Sequence, residues 1–290
     1  MRIKKMLWWM PDKLYLQIYY LMKLKRVLHF KNPHTFSEKL QWLKLYDRKK
    51  IYTTMVDKYE AKRYVAERIG EEYIIPTLGV WDRVEDIDFD ILPTRFVLKC
   101  THDSGGLIVC RDKSKLDLEK TKKILAKSLR NDFYIEAREW PYKNVKRRII
   151  AETYMEDDQQ KKGLVDYKFY CFDGKPQFLY ISKGLEDHAT ASISFLNLDW
   201  SFAPFQRSDY KGFEELPPKP AGYDTMLTLA KRLSEGTSFL RVDMYEIGGK
   251  IYFSELTFTP CGGTMMFTPP EWDEKIGQLL TLPMKTIEGD

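Results

Sequence analysis

The chain has few of the residues that staple a small fold or load it with metal. Its four cysteines (Cys100, Cys110, Cys171 and Cys261) show no CxxC spacing, and its four histidines form no cluster. A zinc site and a disulfide framework are therefore not expected, and a reducing cytosol suits the sequence. No apolar run approaches the roughly 20 residues of a membrane span. The run Met6-Leu-Trp-Trp-Met10 stops at Pro11-Asp12, too short for a secretory signal. Nor does one charge dominate: 47 basic against 42 acidic residues leave +5, which does not indicate a nucleic-acid binder. Acidic small molecules, nucleotides or an anionic polymer suit that balance as well. Internal repeats and low-complexity tracts are absent.

What remains is the composition of a soluble globular protein, 43% hydrophobic and 31% charged over 290 residues. That length corresponds to about two domains. The most informative stretch runs from Phe239 to Gly263. Two segments rich in β-branched and aromatic residues flank Gly248-Gly249, which reads as a β-hairpin with Asp243 in one arm and Glu255 in the other. A three-residue loop sets the two acids opposite each other on one face; a two-residue loop sets them on opposite faces. Opposed, their Cβ atoms lie about 5 Å apart, where like charges repel. Such a pair is held only if a cation or a shared proton removes the conflict. Apolar residues on both faces of each arm place the hairpin inside a sheet, where paired acids suggest a divalent metal site; the alternative is a pair of solvated acids at strand ends.

Elsewhere the pattern alternates between helices and short strands. Pro11-Asp12 opens a helix through Met22, in a first segment mixing Arg2, Lys4, Lys5, Lys13, Lys23, Lys25 and Arg26 with Trp8, Trp9, Tyr15, Tyr19 and Tyr20. Either these aromatics rest with the basic residues on an anionic membrane surface, or they pack on the body of the protein. Thr35 with Glu38 matches a capping box. Asp57-Lys58 opens a helix that Gly70 ends. Strands are expected over Glu72–Leu78, Phe96–Cys100 and Leu107–Cys110, the last two joined by Thr101-His-Asp-Ser-Gly-Gly106. Glycines there admit the close backbone approach a phosphate needs, and Lys99 precedes them in an apolar strand. A further strand carries Glu152 into the polar loop Glu156–Gly163, taken as the boundary between two lobes. A hairpin over Asp166–Ser182 puts Asp166, Lys168 and Tyr170 on one face, leaving Lys168 either facing a cleft or solvated. Helices are expected over Tyr223–Ser234 and Glu271–Leu280, and Thr286–Asp290 reads as a tail.

The order of these parts resembles the ATP-grasp superfamily, and more closely its TupA-like branch, found in bacterial surface-polysaccharide gene clusters. The resemblance is carried by Asn32-Pro-His-Thr-Phe-Ser-Glu-Lys39, Phe96-Val-Leu-Lys-Cys-Thr-His-Asp-Ser-Gly105, Arg241-Val-Asp243 and Phe253-Ser-Glu-Leu-Thr-Phe-Thr-Pro260. It implies an α+β fold in which two lobes with antiparallel sheets clasp ATP after an N-terminal helical segment (1–56). The ATP-grasp domain would occupy 57–290, with a lid lobe near 94–152 and a metal-binding lobe near 153–290. It further implies that Lys58 and Lys99 contact ATP phosphates under a cover of Ser104, Gly105 and Gly106. Glu152 would bind the nucleoside through the ribose, and the backbone of Thr153, Tyr154 and Met155 the adenine edge. Asp243 and Glu255 would ligate magnesium, with Thr257 where the family usually has an asparagine. His102 or Asp103 would help position substrate. Arg241 would orient an acyl phosphate, or else form a structural ion pair, and Lys168 would line the same cleft. The implied activity is an ATP- and Mg2+-dependent carboxylate–amine ligase joining an amine to a uronic acid of a surface polysaccharide. Glycosyl transfer and simple phosphotransfer are the rivals. The expected location is the cytoplasm, with peripheral contact at the inner membrane face and no nucleic-acid partner.

Overall fold

Pro11 and Asp12 open the first helix, α1 (Asp12–Leu24), which ends at Lys25 in the left-handed conformation. The computed structural model describes residues 8–156, 164–184 and 191–285. The boundary loop 157–163 and the tail 286–290 lie outside the described residues. Tyr15, Leu16, Tyr19 and Tyr20 of α1 are buried in an aromatic core with Phe36 and Leu40 of α2 (Phe36–Tyr46). Of the aromatics weighed for a membrane surface, the tyrosines therefore belong to the body, while Trp8 and Trp9 stay exposed. The capping box forms as read. Glu38 N–H donates to Thr35 Oγ1 at 3.2 Å, and Thr35 N–H donates to Glu38 Oε2 at 3.1 Å.

After α3 (Ile51–Val56), the Asp57 carboxylate accepts from the N–H groups of Tyr59 and Glu60 and starts α4 (Glu60–Ile69). Gly70, at φ 119°, ends it. The chain then makes a 3-10 turn over Glu71–Tyr73, where a strand was expected. The strand β1 (Thr77–Trp81) starts only after Pro76, which has no N–H to give a ladder. With β2 (Phe96–Cys100), β3 (Ile108–Cys110) and β4 (Ile149–Thr153) it forms an antiparallel sheet in the order β1-β4-β2-β3. Helix α5 (Leu118–Leu129) covers this sheet through Leu125, which packs with Phe96, Leu98, Ile149 and Ala151; α6 (Phe133–Ala137) precedes β4.

The second sheet comprises β5 (Val165–Phe172), β6 (Lys175–Lys183), β7 (Ser192–Asn197), β9 (Phe239–Ile247) and β10 (Lys250–Thr257), in the order β10-β9-β5-β6-β7. The short strands β8 (Gln206–Arg207) and β11 (Phe267–Thr268) pair separately. Alternation along β5 sends Tyr167, Phe169 and Cys171 into a core with α4 and α7 (Tyr223–Ser234). Tyr170 and Phe172 enter the opposite core with Phe36, Phe178 and Phe195, which α8 (Trp272–Leu279) joins through Ile276. The sheet is thus covered on both faces, as the apolar pattern implied. The hairpin lies inside it by only one arm: β9 is between β5 and β10, whereas β10 is the edge strand. The fold is α+β, and among the described residues no helix is long and apolar enough to cross a membrane.

Candidate active site

Gly248 and Gly249 form a two-residue loop, both at positive φ (57° and 78°), and Ile247 pairs with Lys250. Positive φ at both central residues is what a tight hairpin requires and glycine supplies. This loop alone would separate the two acids. A β-bulge reverses that outcome: Phe253 pairs with Met244 but Glu255 pairs with Asp243, leaving Ser254 as the extra residue. The acids end directly opposed through a register shift inside the strand, not through a longer loop.

Protein cations relieve their repulsion. Asp243 is 1% exposed and takes Arg241 in a bidentate grip, Nε to Oδ1 at 2.7 Å and Nη2 to Oδ2 at 2.6 Å. Lys168, directly across on β5, donates Nζ to Asp243 Oδ2 at 2.8 Å and lies 3.3 Å from Asp166. Lys168 is therefore a buried ion-pair partner and not a solvated strand lysine. Arg241 forms the structural ion pair weighed for it, and its Nη2 also donates to Glu255 Oε1 at 3.0 Å. Thr257 Oγ1 donates to the same oxygen at 2.6 Å. Glu255 Oε2 has no hydrogen-bond partner among the described residues, and its side chain is 40% exposed. Burial pushes the Glu255 carboxyl up, but Arg241, then Lys58 and Lys168, together with the Thr257 hydroxyl, outweigh that and hold it at about 2.

Among the described residues no group of three or more His, Cys, Asp or Glu side chains is arranged to hold a metal. Magnesium needs less than that, since it is commonly held by one or two carboxylates with phosphate oxygens and water completing the octahedron. Glu255 fits through its outward oxygen. Asp243 has both oxygens committed to Arg241 and Lys168, and Thr257 spends its hydroxyl hydrogen on Glu255.

The other sheet contributes cations. Glu152 on β4 is 4% exposed and is held by Lys99 of β2 at 2.5 Å and by Lys62 of α4 at 2.5 Å, one ammonium on each oxygen. Burial raises the Glu152 carboxyl, yet Lys99 and Lys62 overcome it and hold it below the usual carboxylate range. The sequence reading missed Lys62. It lies one helical turn beyond Lys58, a spacing that signals a shared face, but the pairing of β4 beside β1 and β2 is what brings Glu152 to it. Lys62 also donates to Ile75 O at 2.7 Å and Thr77 Oγ1 at 2.9 Å, tying α4 to the sheet.

The glycine loop follows Lys99 in the chain, between β2 and β3. Ser104 and Gly105 are exposed. A Cβ on Gly106, at φ 67°, would stand 2.4 Å from Ser128 Oγ, so glycine is required there. His102 and Asp103, 2% and 3% exposed, anchor the base of the loop: His102 Nε2 meets Asn131 O at 3.1 Å, and Asp103 accepts from Ser128 Oγ. Lys58 is fastened to the loop that follows β2. Its backbone N–H donates to Thr101 O at 3.1 Å and its ammonium donates to Asp103 O. Burial lowers the Lys58 ammonium, Glu255 raises it and Lys99 lowers it, so the side chain is within electrostatic reach of both lobes. Thr153 ends β4, and Tyr154 and Met155 follow it; the Tyr154 ring lies 5.7 Å from the Arg95 guanidinium and 5.9 Å from that of Arg111. The structure thus brings Lys58, Lys99 and Glu152 together on one side, and Lys168, Arg241, Asp243, Glu255 and Thr257 on the other.

These charges fix a pH dependence. The folded Glu255 carboxyl titrates at about 2 against an ordinary 4.5, so its contribution to stability is complete above pH 4.5 and is lost as pH falls toward 2. The urea midpoint of the wild-type protein should fall more across that window than that of Glu255→Gln, which cannot titrate there; Glu152 is present in both proteins and cancels. Parallel curves for the two would mean that Glu255 is not held by these cations.

The model of the family described as TupA-like ATPgrasp matches residues 38–281. No curated protein matches. Among solved structures, the chain is similar to D-alanine–D-alanine ligase from Bacillus anthracis complexed with ATP, at 17% identity and TM-score 0.40, covering 76% of this chain and 57% of that one. D-alanine–D-alanine ligase from Helicobacter pylori is similar at 16% identity and TM-score 0.43, covering 85% and 69%. The ATP-grasp ligase PsnB, complexed with a phosphomimetic variant of its minimal precursor, Mg and ADP, is similar at 10% identity and TM-score 0.44, covering 83% and 63%. The chain thus spans under three-fifths of the length of the Bacillus ligase. With the family model running over most of its residues, the chain belongs to the TupA-like ATP-grasp family.

Proposed function

We propose that this protein is an ATP- and Mg2+-dependent ligase that joins an amine to a carboxylate through an acyl phosphate. The observation that carries the reading is Lys58, which donates to Asp103 O at the base of the glycine loop and whose ammonium is raised by the Glu255 charge and lowered by that of Lys99. A polyphosphate lying between the lobes would meet Lys58 and Lys99 as point charges, replacing the contacts they now make with Asp103 O and Glu152. Lys62 would keep hold of Glu152 when Lys99 turns to phosphate. Magnesium, when bound, would offset phosphate charge, and Glu255 is the residue suited to hold it, with Asp243 positioned behind it by Arg241 and Lys168. The substrate carboxylate oxygen attacks the γ-phosphorus and ADP leaves; the amine then attacks the acyl carbon, phosphate leaves, and the amine proton passes to solvent. Lysines fixed before the reaction stabilise the charge that moves without having to reorganise. Lobe closure, with the glycine loop over the phosphates, would keep water from the acyl phosphate.

The carboxylate is proposed to be a uronic acid of a bacterial surface polysaccharide or its precursor, and the amine an amino acid or amino sugar. Both rest on family likeness, as does a cytoplasmic location. The test is a thermal-shift and product assay. ATP with magnesium should stabilise the protein, and ADP with free phosphate should appear only when acid and amine are both present. Stabilisation by a sugar nucleotide and not by ATP would overturn the reading in favour of glycosyl transfer. ADP with a phosphorylated product and no free phosphate would make the protein a phosphotransferase.

A further inference from the structure

The first helix is apolar on two sides, and the fold uses one of them. Tyr15, Leu16, Tyr19 and Tyr20 point into the core. Leu14, Ile18, Leu21 and Met22, spaced by four, three and one, form a second stripe on the opposite side, with exposures of 47%, 36%, 50% and 64%. Trp8 and Trp9 precede this stripe at 68% and 66% exposed, and Val27 follows it at 65%. A single exposed leucine needs no explanation, but a contiguous apolar strip along a helix marks an interaction site.

Charge identifies the occupant. Between residues 8 and 29 the only acid is Asp12. It is turned inward, accepting from Arg48 Nη2 at 2.7 Å and from the Tyr134 hydroxyl at 2.6 Å. The charged side chains exposed around the stripe are Lys13, Lys23, Lys25 and Arg26, all basic. A second copy of the chain docking by twofold symmetry would set these cations against their own equivalents with no acid between them. An anionic lipid surface presents the opposite charge, and tryptophan is suited to its boundary with water. We propose that the outer face of α1, with Trp8, Trp9 and Val27, rests on an anionic membrane surface, the helix lying in the interface plane. Of the two alternatives for the aromatics, the tyrosines take the packing role and only the outer face is left for such a contact, which does not depend on the chemistry of the cleft.

The experiment is co-sedimentation of the full chain with phosphatidylcholine vesicles, pure or containing about one-third phosphatidylglycerol, with salt as a variable. Binding to the anionic vesicles should exceed binding to the neutral ones by about tenfold or more and weaken as salt rises. Leu21→Glu combined with Met22→Glu, both solvent-facing, should reduce it by about tenfold or more with an unchanged unfolding midpoint. Lys13→Glu with Lys23→Glu should reduce it independently, leaving the apolar strip intact. Equal sedimentation with both vesicles, or full binding by the Leu21/Met22 variant, would overturn the proposal. So would a concentration-dependent dimer that this variant abolishes, which would assign the strip to a second copy.

Discussion

Asp243→Ala should lower stability by about 3 kcal/mol, read as a fall in the urea midpoint, because it removes the centre of a buried ion cluster. Three donated hydrogen bonds converge on this carboxylate, two from Arg241 and one from Lys168, and all three side chains are at most 10% exposed. Breaking a buried pair by deleting one member typically costs about 3–5 kcal/mol, since the remaining charge keeps its desolvation penalty and loses its partner. The low end is expected here because each cation retains a second acid: Asp166 lies 3.3 Å from Lys168, and Glu255 lies 3.0 Å from Arg241. Those acids are more solvated, with side chains 14% and 40% exposed, and replace Asp243 only in part. Asp243→Asn keeps the shape and should still be destabilised, which separates lost charge from a cavity. An unchanged midpoint in both variants would show that Asp166 and Glu255 suffice as counter-charges.

Glu255→Gln should have the complementary phenotype, with turnover reduced by about 10²–10³ while the fold at neutral pH stays intact. The glutamine carbonyl can still accept from Arg241 and Thr257, so the hydrogen bonds to Oε1 survive. The negative charge at the outward oxygen is lost, and with it the group suited to hold magnesium. The magnesium dependence of turnover should therefore shift to higher concentration in the variant, and because the Glu255 charge contributes stability at neutral pH, the unfolding midpoint there should fall toward the value the wild type reaches in acid. Retained activity with an unaltered magnesium requirement would take Glu255 out of the metal site. The two substitutions, twelve residues apart on one hairpin, thus separate a sealed charge from a reachable one: Asp243 lies beneath the surface among cations, and Glu255 stands at its edge.

This division is not readable along the chain. Asp243 and Glu255 look equivalent as acids in facing strands, and the glycine pair between them admits two loop lengths with opposite outcomes. The choice is made by the bulge at Ser254, a local event in β10 that has no residue signature of its own. The occupancy of Asp243 depends on β5 lying beside β9, which brings in Lys168 from 75 residues away. Lys62 escaped notice for the same reason: helical spacing from Lys58 marks a face, but only the order of the first sheet shows that Glu152 lies beside it. Residues acting through local chemistry read correctly, among them Thr35 and Glu38 at a helix start and Gly70 at a helix end.

The sequence by itself determined most of the elements, the two alternating faces of β5, and the family, because hydrophobic period, caps and turn glycines act over a few residues. Tertiary structure alone decided which cations neutralise the opposed acids, which lysines grip Glu152, and which side of α1 faces water. Ion pairing and burial depend on neighbours distant in the chain, and a charge buried by one strand takes its partner from whichever strand packs beside it.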